Sequence, residues 1–260
     1  MQFKELIETI DGCKVRVMRN GSGEPLLFLH GGGASSDWLP FMDKLSKKFD
    51  VIVPEHPGFG KSETADWLDN IGDLAYFYLD LLEHFGLEGV NLVGNSLGGW
   101  TALELAIRNQ TRLKSLTVIS PAGIDLPDVP KGDVFLWTGE QTVRNLFHSE
   151  ELAEAVLSRP MPDDEQDRAM KSNVTAARLG WQPPLYNPHL AKWLHRISVP
   201  TLILWGDDDK LIPKDYGPAF QKLIPGSTLK IIENCGHVPQ VECEKEFVDT
   251  VTSFIAGGAS

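Results

Sequence analysis

A serine, an aspartate and a histidine, each placed after a short apolar run, are the residues of this chain best suited to chemistry. Ser96 lies in "GNSLG" after "NLV", Asp209 lies in "GDDDK" after "TLILW", and His237 follows "LKIIENCG". A serine hydroxyl is a weak nucleophile at neutral pH, so it needs a neighbouring base, and an imidazole base needs a carboxylate that fixes its tautomer. These residue types in this order predict nucleophilic catalysis.

The turn that carries Ser96 has glycine on both sides. Gly94 and Gly98 indicate a backbone too tight for larger residues, and such a turn can hold a serine hydroxyl exposed at the carboxyl end of a strand. The alternative interpretation is an ordinary turn in which Ser96 caps the following helix, because serine is a favoured N-cap. Which interpretation applies, an exposed nucleophile or an N-cap, depends on the strands and helices around the turn.

Short apolar runs and amphipathic helices alternate through the first half of the chain. Runs such as "PLLFLH" and "GVNLVGN" are typical of buried strands, and "IGDLAYFYLDLLEHFG" repeats apolar residues every three or four positions. This alternation predicts a mainly parallel sheet covered on both faces, with "KVRVMR" in an antiparallel edge hairpin. Ligands of such sheets bind beyond the carboxyl ends of the strands, where Ser96, Asp209 and His237 are expected to meet.

The middle of the chain has a different pattern. From about residue 125 to 198 no buried strand is expected, and helical stretches such as "EELAEAVLSR" are interrupted by proline clusters such as "WQPPLYNP". Strands return with "PTLILWG" and "TLKIIENCG". We therefore expect a core formed by residues 1–123 and 199–260, and a helical cap, or lid, formed by residues 124–198.

Composition narrows the classes of protein and partner. A net charge of -12, without a run rich in lysine or arginine, argues against nucleic acid as a partner. No apolar run approaches the length of a membrane span, and the first residues lack the pattern of a signal peptide, so we expect a cytoplasmic protein that is a monomer or a homodimer. Three irregularly spaced cysteines predict neither a disulfide framework nor a zinc site.

Five motifs together resemble the α/β-hydrolase superfamily over nearly the whole chain. They are "HGGG" at 30–33, "PGFGKS", the turn around Ser96, "WGDDDKLIP" and "GHVPQVECEKEF". The first and third look most like the branch of esterases, lactonases and carbon-carbon hydrolases of aromatic ring-fission products. The resemblance implies an eight-stranded, mostly parallel sheet flanked by helices, with a helical cap insertion.

The resemblance also implies roles for individual residues, without metal or organic cofactor. The nucleophile would be Ser96, the general base His237 and the orienting carboxylate Asp209. The oxyanion hole would combine the backbone amide of Leu97 with that of Gly32 or, as the second choice, Gly33. Further candidates for the substrate pocket are Gly33, Trp38, Asn95 and Arg178.

Several alternatives compete with these assignments. Asp207 and Asp208 adjoin Asp209, and Asp125 follows the preceding strand, where some relatives place the acid; the family spacing favours Asp209. His30 and His56 are interpreted as structural or turn residues, and Cys235 as a packing residue.

The expected function is hydrolysis of a small, mostly apolar carboxylic ester or lactone through an acyl-enzyme. One alternative is carbon-carbon hydrolysis of a ring-fission product, although we would expect tryptophan after the catalytic histidine, where this chain has Val238. Cys243 replaces a proline often found in the closing motif, which should affect helix entry more than chemistry. The other alternative is a small-molecule-binding protein of the same fold that does not catalyse.

Overall fold

An eight-stranded sheet forms the centre of the molecule. The computed structural model describes residues 3–33 and 37–257. The strands run in the order β1-β2-β4-β3-β5-β6-β7-β8. Their bounds are β1 Lys4–Ile10, β2 Cys13–Gly21, β3 Glu24–Leu29, β4 Phe49–Pro54, β5 Val90–Asn95, β6 Leu113–Ile119, β7 Thr201–Gly206 and β8 Thr228–Ile232.

The sheet has an antiparallel edge and a parallel remainder. β1 pairs antiparallel with β2, and β2 pairs antiparallel with β4, whereas the other neighbouring pairs are parallel. β5 and β7 are buried at every residue, as expected for parallel strands covered on both faces. The predicted fold class and edge hairpin are therefore confirmed.

Helices cover both faces of the sheet. The bounds are α1 Pro40–Leu45, α2 Ile71–His84, α3 Leu97–Arg108, α4 Gly139–Leu146, α5 Glu150–Leu157, α6 Asp163–Gly180, α7 Tyr216–Leu223, α8 Pro239–Glu242 and α9 Glu244–Ile255. One apolar cluster includes residues of α2, α3 and α7, and a second includes residues of α1 and α9. The core thus forms two layers, one on each side of the sheet.

The segment between β6 and β7 is helical. It contains α4, α5, α6 and two short 3₁₀ turns, Leu190–Lys192 and Leu194–Arg196. We call residues 124–198 the insertion; their separation as a domain stays a prediction.

Polar contacts fix α6 on the loop after β4. The hydroxyl of Thr175 donates to the Gly58 carbonyl at 2.8 Å, and the Gly60 amide donates to the Ser172 hydroxyl at 3.1 Å. These contacts place α6 above the carboxyl ends of the central strands.

Among the residues that the structure describes, no helix combines the length and apolar character needed to cross a membrane.

Candidate active site

The turn between β5 and α3 places Ser96 in a strained backbone conformation. Its φ is 54° and its ψ is -114°, a region that non-glycine residues rarely adopt and that costs on the order of 1–3 kcal/mol. The Ser96 amide donates to the Ile119 carbonyl at 2.9 Å, and the side chain forms no capping hydrogen bond. The N-cap interpretation therefore does not explain this serine.

The two glycines of the turn are required by space. A β-carbon on Gly94 would overlap the Gly98 carbonyl, and one on Gly98 would overlap the Leu29 carbonyl. The positive φ falls on Ser96 and on neither of these glycines. The tight packing of α3 against β3 and β5 thus holds the strained residue in place.

A carboxylate and an imidazole meet after the last two strands of the sheet. Asp209 follows β7 and His237 follows β8, and Nδ1 of His237 lies 2.7 Å from Oδ2 of Asp209. The other oxygen of Asp209 accepts the amides of Leu211 at 3.0 Å and Ile212 at 2.8 Å. The two side chains are at most 3% exposed. The carboxylate is therefore fixed by three hydrogen bonds before any substrate binds.

The pairing with Asp209 leaves one ring nitrogen of His237 available. The carboxylate of Asp209 can only accept a hydrogen bond, so Nδ1 of His237 must carry the proton. In a neutral imidazole, Nε2 is then the acceptor. Nε2 is buried and has no hydrogen-bond partner among the described residues. Such an atom is suited to accept a proton from a substrate or a nucleophile.

The competing carboxylates have other partners. Asp207 accepts the Cys235 amide at 3.3 Å, Asp208 pairs with His148 at 2.9 Å, and Asp125 pairs with Lys131 at 2.7 Å. Of these carboxylates, only Asp209 pairs with His237. This pairing favours Asp209 as the acid, and its catalytic role stays a prediction.

The glycine run after β3 passes beside Ser96 and beneath the insertion. A β-carbon on Gly31 would lie 3.4 Å from Cβ of Ser96, and one on Gly32 would lie 3.4 Å from Cβ of Ala176 in α6. A β-carbon on Gly33 would meet nothing within 4 Å. Leu97 begins α3, where the first amides of a helix lack intrahelical partners and can bind developing negative charge.

A pair of adjoining histidines, His30 and His56, supports the base of the glycine run; their ring centroids are 3.7 Å apart and the rings are tilted by 37°. Nε2 of His30 accepts the His56 amide at 3.0 Å, and Nδ1 of His30 donates to the Gly31 carbonyl at 2.7 Å. Nε2 of His56 donates to the His30 carbonyl at 2.8 Å, so its Nδ1 accepts from the Tyr78 hydroxyl at 2.5 Å. Each of the four ring nitrogens has a hydrogen-bond partner, and each ring has one donor and one acceptor nitrogen. Both imidazoles are therefore neutral, with a fixed tautomer.

Burial keeps this histidine pair uncharged. It lowers the pKa of His30 to about 4. Burial, together with the neighbouring His30, holds the pKa of His56 well below its ordinary value. The pair is structural, as the sequence indicated for His30, and it anchors the loop that carries Gly31 and Gly32.

Asn95 and Gln240 link the Ser96 turn to the His237 loop. The Asn95 amide donates to the carbonyls of Ile119 at 3.2 Å and His237 at 3.4 Å, while Gln240 donates to Oδ1 of Asn95 at 3.1 Å. Asn95 is buried, and its predicted contact with substrate stays a prediction. Gln240 was missed by sequence reasoning; its position three residues after His237 was the available signal.

Two further predicted pocket residues have structural contacts. Trp38 is buried in the second apolar cluster and stacks on Phe3, with ring centroids 5.4 Å apart. Arg178 is exposed, and its guanidinium donates to the carbonyls of Leu68 and, at 3.4 Å, Ala65. The role of Arg178 in a substrate pocket stays a prediction.

A cavity of about 220 Å³ lies between the start of α2, α3 and the segment after α6. Its wall includes Trp100 and Glu104, but Ser96, Asp209 and His237 do not line it. Glu104 is buried and accepts from Trp100 at 3.3 Å and from Asn187 at 2.7 Å, which ties the insertion to α3.

The described residues contain no cluster of three or more histidine, cysteine, aspartate or glutamate side chains able to hold a metal ion.

Comparison with known proteins places this chain in a family. The family model described as the alpha/beta hydrolase fold matches residues 24–243. The 2-hydroxy-6-oxo-2,4-heptadienoate hydrolase of Pseudomonas putida is 30% identical, covering 94% of this chain and 94% of that protein. Lipase 1 of Psychrobacter immobilis is 27% identical, covering 94% of this chain and 81% of that protein.

A solved structure has a similar fold. A serine hydrolase involved in carbazole degradation superposes with a TM-score of 0.80 at 24% identity, covering 98% of this chain and 99% of that one. The match of the family model, the relatives and this superposition agree on the architecture. The chain belongs to the α/β-hydrolase fold family.

Proposed function

We propose that the protein is a serine hydrolase that cleaves a small, mostly apolar carboxylic ester or lactone. The observation that carries the proposal is the combination of strained Ser96 with an Asp209–His237 pair whose Nε2 is left without a partner. A nucleophile, a base and an orienting carboxylate at three strand ends are what acyl transfer requires.

Each residue has a defined role in the proposed reaction. Ser96 Oγ attacks the carbonyl carbon while its proton passes to Nε2 of His237. The same proton then leaves with the alkoxide as the carbon-oxygen bond breaks, which gives an acyl-enzyme. Water attacks the acyl carbon and its proton passes to His237. The bond between the acyl carbon and Ser96 Oγ then breaks, His237 returns the proton to Ser96 Oγ, and the carboxylic acid leaves. Asp209 holds the imidazole and stabilises its protonated form.

The negative charge that develops on the carbonyl oxygen needs donors. We assign this role to the Leu97 amide at the start of α3 and to the Gly32 amide, with Gly33 as the alternative. Donors aimed at the developing oxyanion lower the barrier by about 3 kcal/mol each in well-studied hydrolases. The histidine pair supports this function indirectly because it fixes the carbonyls of His30 and Gly31.

Carbon-carbon bond hydrolysis is the second candidate. The similarity to a heptadienoate hydrolase at 30% identity favours it. Such a reaction also needs a substrate carboxylate to be held, and the exposed Arg178, which donates to backbone carbonyls, does not supply that anchor. Val238 stands where tryptophan is expected in that branch. We therefore rank ester or lactone hydrolysis first.

A non-catalytic binding protein is the third candidate. A pure binder needs no strained nucleophile beside a base with a free nitrogen, so the geometry argues against this function.

The deciding experiment measures specificity constants for nitrophenyl esters of graded chain length, lactones and a ring-fission diketone. Wild type and Ser96→Ala are compared, because the variant removes one hydroxyl and keeps the pocket. We expect an ester or lactone to be turned over at least as fast as the diketone, and the activity to disappear in Ser96→Ala.

Three outcomes would change the assignment. Turnover by Ser96→Ala close to that of wild type would exclude Ser96 as the nucleophile. A specificity constant for the diketone about a hundredfold above the best ester, lost in Arg178→Ala, would establish carbon-carbon hydrolysis. Tight binding of small molecules without turnover would support the binding protein.

A further inference from the structure

The carboxylate of Glu242 joins the loop that carries His237 to the insertion. It accepts the amide of Gly236 at 2.6 Å, the amide of Ser149 at 2.6 Å and the amide of His148 at 3.2 Å. Gly236 directly precedes His237, whereas His148 and Ser149 lie between α4 and α5 of the insertion. The Glu242 side chain thus accepts backbone hydrogen bonds both from the His237 loop and from the insertion.

The two backbones also touch directly at this point. The His237 amide donates to the Leu146 carbonyl at 2.8 Å. A β-carbon on Gly236 would overlap the Leu146 carbonyl and would lie 2.9 Å from the His148 amide nitrogen. Residues 146–149, which we call the clamp segment, therefore lie against the backbone of the proposed base.

A third contact reaches the residue next to the proposed acid. Nδ1 of His148 lies 2.9 Å from Oδ2 of Asp208, the residue directly before Asp209. The clamp segment is thus attached on both sides of the Asp209–His237 pair, through Asp208 on one side and through Glu242 on the other.

We propose that Glu242 is a positioning residue that sets the orientation of His237 by tying its loop to the clamp segment, so that seating of the insertion and alignment of the base are coupled. The inference rests on the proposed function of His237. A displacement of about 1 Å in a catalytic group can slow a reaction by about a hundredfold, and loss of three charge-assisted hydrogen bonds allows such a displacement.

The test uses a fluorophosphonate probe on the full chain. Ser96 Oγ bonds to phosphorus as fluoride leaves, and the hydroxyl proton passes to His237, so the labelling rate reports the alignment of base and nucleophile without a known substrate. Glu242→Ala should label at least about tenfold more slowly than wild type. Glu242→Asp keeps both acceptor oxygens and should recover part of the rate.

The matched control is Glu246→Gln. Glu246 lies in α9 and forms an exposed ion pair with Lys230 at 3.0 Å, so this variant removes a charge from the same terminal region without touching the His237 loop. It should label like wild type. An equal loss in Glu246→Gln and Glu242→Ala would overturn the inference.

A second pair of variants acts from the insertion side and leaves Glu242 intact. Ser149 caps α5 with its hydroxyl and has a φ of -73°, which proline can adopt. Ser149→Ala removes only the capping hydroxyl, whereas Ser149→Pro also removes the amide that donates to Glu242. Labelling that is slower by at least about threefold in the proline variant than in the alanine variant supports coupling. Equal rates overturn it.

These measurements separate failure of the inference from failure of the proposed function. Absence of labelling at Ser96 in the wild-type protein would refute the serine hydrolase proposal and, with it, the inference. Normal labelling of wild type together with an unchanged rate in Glu242→Ala would refute only the positioning role.

Glu242→Ala could fail to fold, so hydrogen exchange on wild type and Glu242→Gln provides a further measurement. Peptides that contain residues 146–149 and 235–238 should lose protection together in the variant. Loss of protection in one peptide alone would overturn the coupling.

Discussion

Two regions at the carboxyl edge of the sheet contain buried histidines, and they differ in how their ring nitrogens are used. His30 and His56 satisfy every ring nitrogen with backbone groups and the Tyr78 hydroxyl. His237 uses Nδ1 on Asp209 and leaves Nε2 without a partner among the described residues. A saturated histidine can only hold structure, whereas a histidine with a buried free nitrogen can exchange a proton.

The two regions also differ in backbone strain and in structural role. Ser96 has a positive φ, its hydroxyl has no capping role, and its neighbour Asn95 donates to the His237 carbonyl. The histidine pair lies under the glycine run and uses its hydrogen bonds to fix the loop. We infer that the His30–His56 pair keeps the region of Ser96 and His237 in place. If so, changes at the pair should lower stability, and changes at Ser96 or His237 should lower activity.

The largest contrast is expected between His237→Ala and His56→Ala. Loss of the proposed base should lower kcat by about 10⁴-fold or more, with a small change in the free energy of unfolding. His56→Ala leaves the Tyr78 hydroxyl and the His30 carbonyl unpaired and should cost about 3 kcal/mol of stability. Ester hydrolysis and urea unfolding measure the two quantities. Comparable kcat values for the two variants would contradict the assignment of catalysis to His237 and of a structural role to His56.

The next largest effect concerns the acid. Asp209→Asn should lower kcat by about 10³-fold to 10⁴-fold, because the amide cannot stabilise protonated His237 and favours the wrong tautomer. Asp125→Asn, which alters an ion pair with Lys131, is the matched control and should stay within about twofold of wild type. Rates are compared at saturating ester. A larger loss in the control would move the acid to the loop after β6.

A pH effect should arise from the structural pair. Its folded pKa values lie below those of the unfolded chain, so between about pH 6.5 and pH 4 the unfolded state binds protons that the folded state excludes. The contribution to stability is therefore complete above about pH 6.5 and is lost as the pH falls towards 4, by about 3 kcal/mol for His30.

Imidazole nitrogen spectra, recorded with urea unfolding across this pH range, test the assignment. At pH 5 the ring nitrogens of His30 and His56 should keep the chemical shifts of neutral imidazole. Protonation of both rings near pH 6.5 in the folded protein would contradict their saturated hydrogen bonding.

The smallest effect is expected from Tyr78→Phe. Loss of the hydroxyl leaves Nδ1 of His56 buried without a donor and should cost about 1–2 kcal/mol in the free energy of unfolding, with kcat nearly unchanged. Tyr76→Phe is the control, since Tyr76 lies on the same helix and its side chain is exposed. An equal change in both variants would show that the buried hydroxyl has no specific role.

Part of this description could be predicted from the sequence, because its signals are local. Continuous apolar runs indicated covered parallel strands, the alternating run before them indicated the edge hairpin, and the glycines around Ser96 indicated a tight turn. These predictions succeeded because burial pattern and steric limits act over a few neighbouring residues.

Other features depended on contacts between residues far apart in the chain. The sequence could not show that Asn95 and Trp38 are buried, that Arg178 faces backbone carbonyls, or that Gln240 bridges to the Ser96 turn. Each of these side chains is chemically suited to several roles, and only its surroundings select one.

The sequence by itself determined the class of the sheet, the position of Ser96 at a strand end and the set of candidate acids and bases. The tertiary structure decided that Asp209 pairs with His237, that the histidine pair is saturated, and that Glu242 reaches across to the clamp segment. The physical reason is that residue type fixes which hydrogen bonds a group can form, whereas the folded chain fixes which partner comes within about 3 Å.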